Sequence, residues 1–150
     1  MKYISLFFIS VFVGITTSCK QEITKQELSA LNGYWEIEKV TTAEGQVKEY
    51  KINTTVDYIQ LEENEKGFRK KVYPNLNGRY QTSDNAEFFT LKKNTDTQWE
   101  IIYQTNENTW TEILTSISAN HFQVLNQAGV TYHYKRWQSF DLQQQNYGRK

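Results

Sequence analysis

Leu31-Asn32-Gly33-Tyr34-Trp35-Glu36-Ile37-Glu38-Lys39-Val40 is the stretch that decides how this sequence is read. A glycine stands two residues before a tryptophan, and an alternating run follows. Successive side chains of a strand point to opposite faces, so Trp35 and Ile37 share one face and Glu36 and Glu38 the other. One apolar and one acidic face make a half-buried strand. The rest of the chain repeats that pattern in short runs, and what precedes it is built to deliver those runs elsewhere.

Working upstream, Lys25 to Ala30 reads as about two turns of helix. It is introduced by Thr24 three residues before Glu27, the pattern of a capping box, and it closes on Asn32-Gly33. So short a helix is unstable alone and must pack on the strands. Further upstream, Lys2 is followed by an apolar run from Tyr3 to Ile15, too short to span a bilayer as a helix, so it reads as a signal peptide. The run ends in Thr16-Thr17-Ser18-Cys19, which resembles the bacterial lipobox, with Thr16 where leucine is usual. That resemblance implies that Cys19 takes a diacylglyceryl thioether and becomes the mature N-terminus, its acyl chains, palmitate among them, holding the protein to a membrane. Lys20 follows the cysteine, not the aspartate that resembles an inner-membrane retention signal. The expected location is the bacterial outer membrane, with the periplasmic and surface faces both open.

Downstream of Trp35, turn signals recur every eight to twelve residues. Ala43 to Gln46 is a turn, Val56 to Leu61 a strand, Glu62 to Gly67 a polar hairpin tip and Phe68 to Tyr73 the returning strand. Pro74 to Gly78 breaks the ladder, since proline has no N–H to give it. Arg79 to Gln81 begins another strand closed by Ser83-Asp84-Asn85. Glu87–Lys92, Gln98–Gln104, Thr109–Ile117, Phe122–Leu125 and Val130–Trp137 follow, joined by short turns. Eight or nine strands joined mainly by hairpins predict an all-β, antiparallel, up-and-down architecture. Closure into a barrel removes both sheet edges, and an open sandwich is the alternative. Composition agrees: 15% of residues are aromatic, with ten Tyr, eight Phe and four Trp, types that suit pleated surfaces. The expected division is 1–18 signal peptide, 19–31 tether and short helix, 32–138 barrel and 139–150 a polar, frayed tail.

A short N-terminal helix, Gly33-x-Trp35 opening the first strand and Arg136 in the last together resemble the lipocalin family. The resemblance covers roughly Leu28 to Trp137, and the Thr-Asp-Tyr element of classical lipocalins is missing, so the small divergent lipocalin-like domains of bacterial lipoproteins are the nearer likeness. It implies an eight-stranded barrel, or a nine-stranded one, in which Arg136 lies over the Trp35 ring and closes one mouth by a cation–π contact.

Charge and motif exclude much else. Seventeen basic and seventeen acidic residues give no net field for nucleic acid. The only cysteine is assigned to lipid, and His121 and His133 belong to no spaced ligand set, so neither metal nor cofactor is expected. No phosphate loop, nucleophile elbow or zinc-protease motif is present, and catalysis is not expected. Two functional readings stay open. In one, the barrel holds a small hydrophobic or amphipathic ligand among Tyr58, Phe88, Trp99, Tyr103, Trp110 and Tyr134. In the other, aromatics fill the barrel and it serves as a structural or protein-interaction module in the envelope.

Overall fold

The structure is a computed structural model and describes residues 22–74 and 80–138. The expectations for the leader 1–18, for Cys19, for residues 75–78 of the break and for the tail 139–150 therefore lie outside the described residues, while Pro74, expected to open that break, instead pairs with Tyr80 in the ladder.

The alternation of Trp35 and Ile37 against their acidic neighbours produces β1 (Gly33–Thr41). After it come β2 (Val47–Glu49), β3 (Val56–Leu61), β4 (Lys66–Pro74) and β5 (Tyr80–Lys93), then β6 (Trp99–Gln104), β7 (Thr109–Ile117), β8 (His121–Asn126) and β9 (Thr131–Arg136). Every pairing is antiparallel. From β3 onward each strand pairs with the next, and β9 returns to β1 through Trp35↔Arg136 to Thr41↔Thr131. Eight strands thus close into a barrel and the sandwich alternative is excluded. The ninth, β2, is an outlying ribbon on Lys39–Thr41 of β1, in a stretch that the turn signals assign to a connection. Its three residues are all exposed, so it carries no alternation to read.

Two further expectations are corrected. Residues 80–93 form one strand, not two, because Ser83-Asp84-Asn85 stays extended. Its turn tendency appears instead as an irregularity in the β4–β5 register, between Lys70↔Ala86 and Val72↔Thr82. The N-terminal helix, Gln26–Leu31, is 3₁₀ and not α. Its capping box is formed: Thr24 donates from N and Oγ1 to Glu27 Oε2, at 2.7 and 2.8 Å, and the Glu27 amide donates back to Thr24 Oγ1. The tight helix buries Leu28 and Leu31 against one barrel end.

That end is the closed one. Trp35 is fully buried and its Nε1–H donates to Leu31 O at 2.7 Å. Phe122 meets its ring edge-on at 4.7 Å, and Arg136 lies over it at 3.7 Å from guanidinium carbon to ring centroid. The guanidinium also donates to the carbonyls of Ala30, Asn32 and Ala119, tying helix, first strand and the β7–β8 turn together. Gly33 has φ +122°, and a Cβ there would stand 2.6 Å from Arg136 Nη1, so glycine makes room for the arginine. Gly33, Trp35 and Arg136 come together at this end. Arg136→Ala is expected to lower stability by about 1–3 kcal/mol, as the loss of a cation–π contact and several carbonyl hydrogen bonds does. An unchanged urea midpoint would contradict that role.

Candidate functional site

The barrel interior is layered. Toward the closed end Leu28, Leu31, Ile59, Leu91, Trp99, Ile101, Leu114, Phe122 and Val124 form a continuous apolar core. Above it the lining changes character. Asp57 on β3, Arg69 on β4, Glu87 on β5 and Glu112 on β7 share the inward faces of their strands with Ile59, Gly67, Phe89 and Leu114 respectively. Asp57 is 3% exposed and Arg69 and Glu112 are each 8% exposed, so charge is carried into the barrel.

Arg69 organises this layer. Its Nε lies 2.7 Å from Glu87 Oε2, its Nη1 3.7 Å from Glu112 Oε2, and its guanidinium 4.3 Å over the Tyr103 ring. Burial alone would favour a neutral Arg69, but the negative charge around it, from Asp57 and Glu112, outweighs it and holds the guanidinium charged. Burial pushes the Tyr103 and Tyr134 hydroxyls far above their ordinary range, so both stay protonated donors. On the opposite flank Lys71 Nζ stands 2.5 Å from Asp57 Oδ1. That contact is an ion pair, and Glu112 Oε2, paired with Arg69 at 3.7 Å, is buried without a hydrogen bond.

Glu112 has its pKa raised, first by burial and further by the nearby Glu87 and Asp57, with Arg69 and hydrogen bonding from Tyr103 pulling the other way. A carboxyl that binds its proton more tightly when folded adds stability below the ordinary glutamate range, and that stability is lost as pH rises through the shifted value. Glu112→Gln should therefore remove a fall in stability that sets in as pH rises above about 4.5. The check is the difference between the melting temperatures of the two proteins at each pH; a constant difference would contradict it.

Open space adjoins both flanks of the layer. A hollow of about 270 Å³ is walled by Trp35 and Ile37, by Tyr50 and Ile52 to Thr55 of the connection after β2, and by Asp57 and Lys71. A wider hollow of about 760 Å³ lies between Asn85 to Phe88 and Gln104 to Glu107, with Glu87 on its wall.

The six expected ligand-lining aromatics divide. Tyr103, Trp110 and Tyr134 sit at the charged layer: Tyr103 stacks on Trp110 at 4.9 Å, and Tyr134 on Phe122 at 4.4 Å. Trp99 points inward, but its Nε1–H donates to Ile23 O at the closed end, where it packs as floor and not as mouth lining. Tyr58 and Phe88 are corrected outright. They stand out of phase with buried Asp57, Ile59 and Phe89, and so face outward in a row of rings running Tyr34–Tyr58–Phe68–Phe88, 4.8 to 6.4 Å apart. Trp137 adjoins Tyr34 at the head of that row.

The acids and bases of the interior were missed as site residues, although the sequence holds a signal for them. Asp57 keeps phase with Ile59 and Leu61, Glu87 with Phe89 and Leu91, and Glu112 with Trp110 and Leu114, whereas Arg69, in phase with Gly67 and Lys71, carries no such signal. A charge in phase with an apolar face is a charge carried inward.

No protein-family model matches the chain, and no curated protein matches it significantly. Among solved structures it is similar to a lipocalin-like protein from Bacteroides uniformis ATCC 8492, at 13% identity and TM-score 0.47 over 72% of this chain and 99% of that one. An uncharacterized protein from Bacteroides eggerthii DSM 20697 is similar at 13% identity and TM-score 0.45, over 71% and 99%. Apocrustacyanin C1 is similar at 10% identity and TM-score 0.46, over 82% and 69%. With its closed eight-stranded barrel, capped by a short helix and by Arg136 over Trp35, the chain has a divergent lipocalin-like fold.

Proposed function

We propose that this protein is a lipid-anchored lipocalin-like protein of the bacterial envelope whose barrel binds a small amphipathic ligand, the ligand's polar part meeting the buried charged layer. The observation that supports this reading is the layer itself. Charges taken out of water cost several kcal/mol each before pairing, and apolar side chains of similar volume would stabilise a barrel at least as well. A lining kept only for stability has no use for Arg69, Asp57 and Glu112. A site for a polar group does. The hollow beside Asp57 and Lys71 offers a way in, with Ile37 and Trp35 on its apolar wall.

The direct test is a thermal-shift panel of fatty acids, haem, isoprenoids and smaller amphiphiles on the purified protein. A saturating ligand at about a hundred times its Kd adds about 2.7 kcal/mol to stability. No shift with any of them would count against a carrier. Membrane attachment rests on the leader and on Cys19. Cys19→Ser is expected to move the protein from the membrane to the soluble fraction, and retention in the membrane would refute anchoring by lipid.

The outer ring row favours a second reading, in which an envelope partner docks on the barrel wall. Phe88, at its end, is 62% exposed. There Phe88→Ser would weaken association with that partner and leave the binding of small molecules in the barrel unchanged.

A further inference from the structure

We propose that the outer wall of β3 to β6 lies against a lipid surface, its rings and lysines meeting the headgroups of the membrane in which Cys19 is anchored. The inference rests on anchoring by lipid and goes on to say which face of the barrel the anchor brings to the bilayer.

Three observations lead to it. The first is what the wall carries. Tyr58, Phe68 and Phe88 stand in a row across β3, β4 and β5, 6.1 and 6.4 Å from ring to ring, and Phe88 is 62% exposed. Ile102 follows on β6, and a shallow hollow of about 300 Å³ opens beside it, Phe68 and Phe88. A continuous apolar stretch of this kind marks an interaction surface. The second is the charge around the rings. Among the described side chains on the outer faces of these four strands, three are lysines, Lys66, Lys70 and Lys92, and one is an acid, Glu100. Lys70 Nζ lies 5.7 Å from the Phe68 ring centroid. Rings at the headgroup level, with lysines reaching toward phosphate, are how protein surfaces settle in a membrane interface. The third is where the anchor arrives. Glu22 pairs with Lys93 at the end of β5, at 2.5 Å, and Lys25 pairs with Glu65 just before β4. Cys19 precedes Glu22 by three residues, and three residues reach no further than about 11 Å. The acyl chains therefore enter the bilayer beside the rim of the two strands that carry Phe68 and Phe88.

Other arrangements fit less well. The closed end is a poorer face for anionic lipid, because Glu62, Glu63 and Asp96 are exposed there and Lys25 and Lys93 are engaged by Glu65 and Glu22. A protein partner would compete for the row with a bilayer that the anchor already holds beside it. Lying on this wall also brings the hollow bordered by Glu87 and Phe88 to the lipid surface.

The test uses the full lipidated chain in vesicles of phosphatidylethanolamine and phosphatidylglycerol. With Cys19 acylated, one introduced cysteine is the only free thiol and takes a fluorophore. Three positions are labelled in turn: Thr90→Cys on the wall, Asp96→Cys at the closed end and Gln123→Cys on β8, across the barrel from β4. Quenching by a phospholipid with a nitroxide on its headgroup reports contact with the membrane surface. The Thr90 label is expected to be quenched several-fold more than either of the others. That excess is expected to shrink when phosphatidylcholine replaces phosphatidylglycerol or when salt is raised. Changing Lys66→Gln, Lys70→Gln and Phe88→Ser together is expected to bring the Thr90 label down to the level of Gln123. Strongest quenching at Asp96 would stand the barrel on its closed end and leave the ring row to a protein partner, which overturns the inference. Equal quenching at all three positions, or none at any, overturns it as well. Protein that fails to float with the vesicles refutes anchoring itself and takes the inference with it, a result that flotation separates from the rest. Should the triple variant fail to fold, the ranking of the three single labels still decides the matter.

Discussion

Trp35→Ala is expected to destabilise the protein by about 3–5 kcal/mol, the range for removing a fully buried large aromatic. The indole is 0% exposed, and three separate supports converge on it. Its N–H is committed to Leu31 O, its edge to Phe122 and its face to Arg136. Deleting it leaves a cavity under Leu28 and Leu31 and strips the arginine of the ring it covers. The short helix is held chiefly by burial of those two leucines, so it should loosen together with the first strand. Urea denaturation followed by circular dichroism gives the midpoint shift. Amide exchange over Gln26–Leu31 should speed up in a variant that still folds. A shift of less than about 1 kcal/mol would mean that the closed end is not built around this residue.

Arg69→Met is expected to cost about 3–5 kcal/mol near neutral pH, because removing one partner of a buried ion pair strands the other. Here it strands more than one. Glu87 loses a 2.7 Å contact, and Glu112 loses the guanidinium charge that faces its Oε2. Methionine fills much of the same volume, so the loss is mainly electrostatic. The sign with pH follows. Without Arg69 the pull that offsets burial at Glu112 is gone, its folded pKa rises further above the unfolded one, and stability drains away as pH climbs through that value. The variant should therefore be impaired more at pH 7.5 than at pH 5, because Glu112 takes up its proton more readily at the lower value. Urea midpoints at the two values measure it. An equal loss at both would show that Arg69 acts through packing over Tyr103 and not through its charge.

What the sequence makes legible, and what it does not, follows from how local each feature is. Gly33, Trp35 and Arg136 can be paired through the resemblance to lipocalins, which the chain carries because the glycine and tryptophan stand together and the arginine ends the last strand. Turns such as Asn94 to Thr97 and Asn126 to Gly129 announce themselves through residues that accept a turn, and the hydrogen bonds closing them are present. Position within a strand is harder. Phe88-Phe89 offers two equivalent aromatics to one inward slot, and alternation alone does not say that Phe89 takes it. In Val56-Asp57-Tyr58-Ile59 either phase brings one apolar residue inward with a partner of different kind, and the aromatic phase is the wrong one. A bulge between Ile37 and Lys39 shifts phase again within β1, so that Val40 pairs with Tyr132 and Lys39 with His133. The interior charges are masked by the general preference of strand charges for water, which assigns them outward. Here Asp57, Arg69, Glu87 and Glu112 follow the apolar face instead.

The central claim is that the charged layer inside the barrel is a place for a ligand. Native mass spectrometry of the lipidated protein, purified gently from its own host, tests it most directly. The account predicts a small bound mass that accompanies the barrel, leaves on denaturation, and is lost or sharply reduced in Glu112→Gln. A clean mass for the protein and its acyl chains alone, together with no thermal shift across the amphiphile panel, would contradict it.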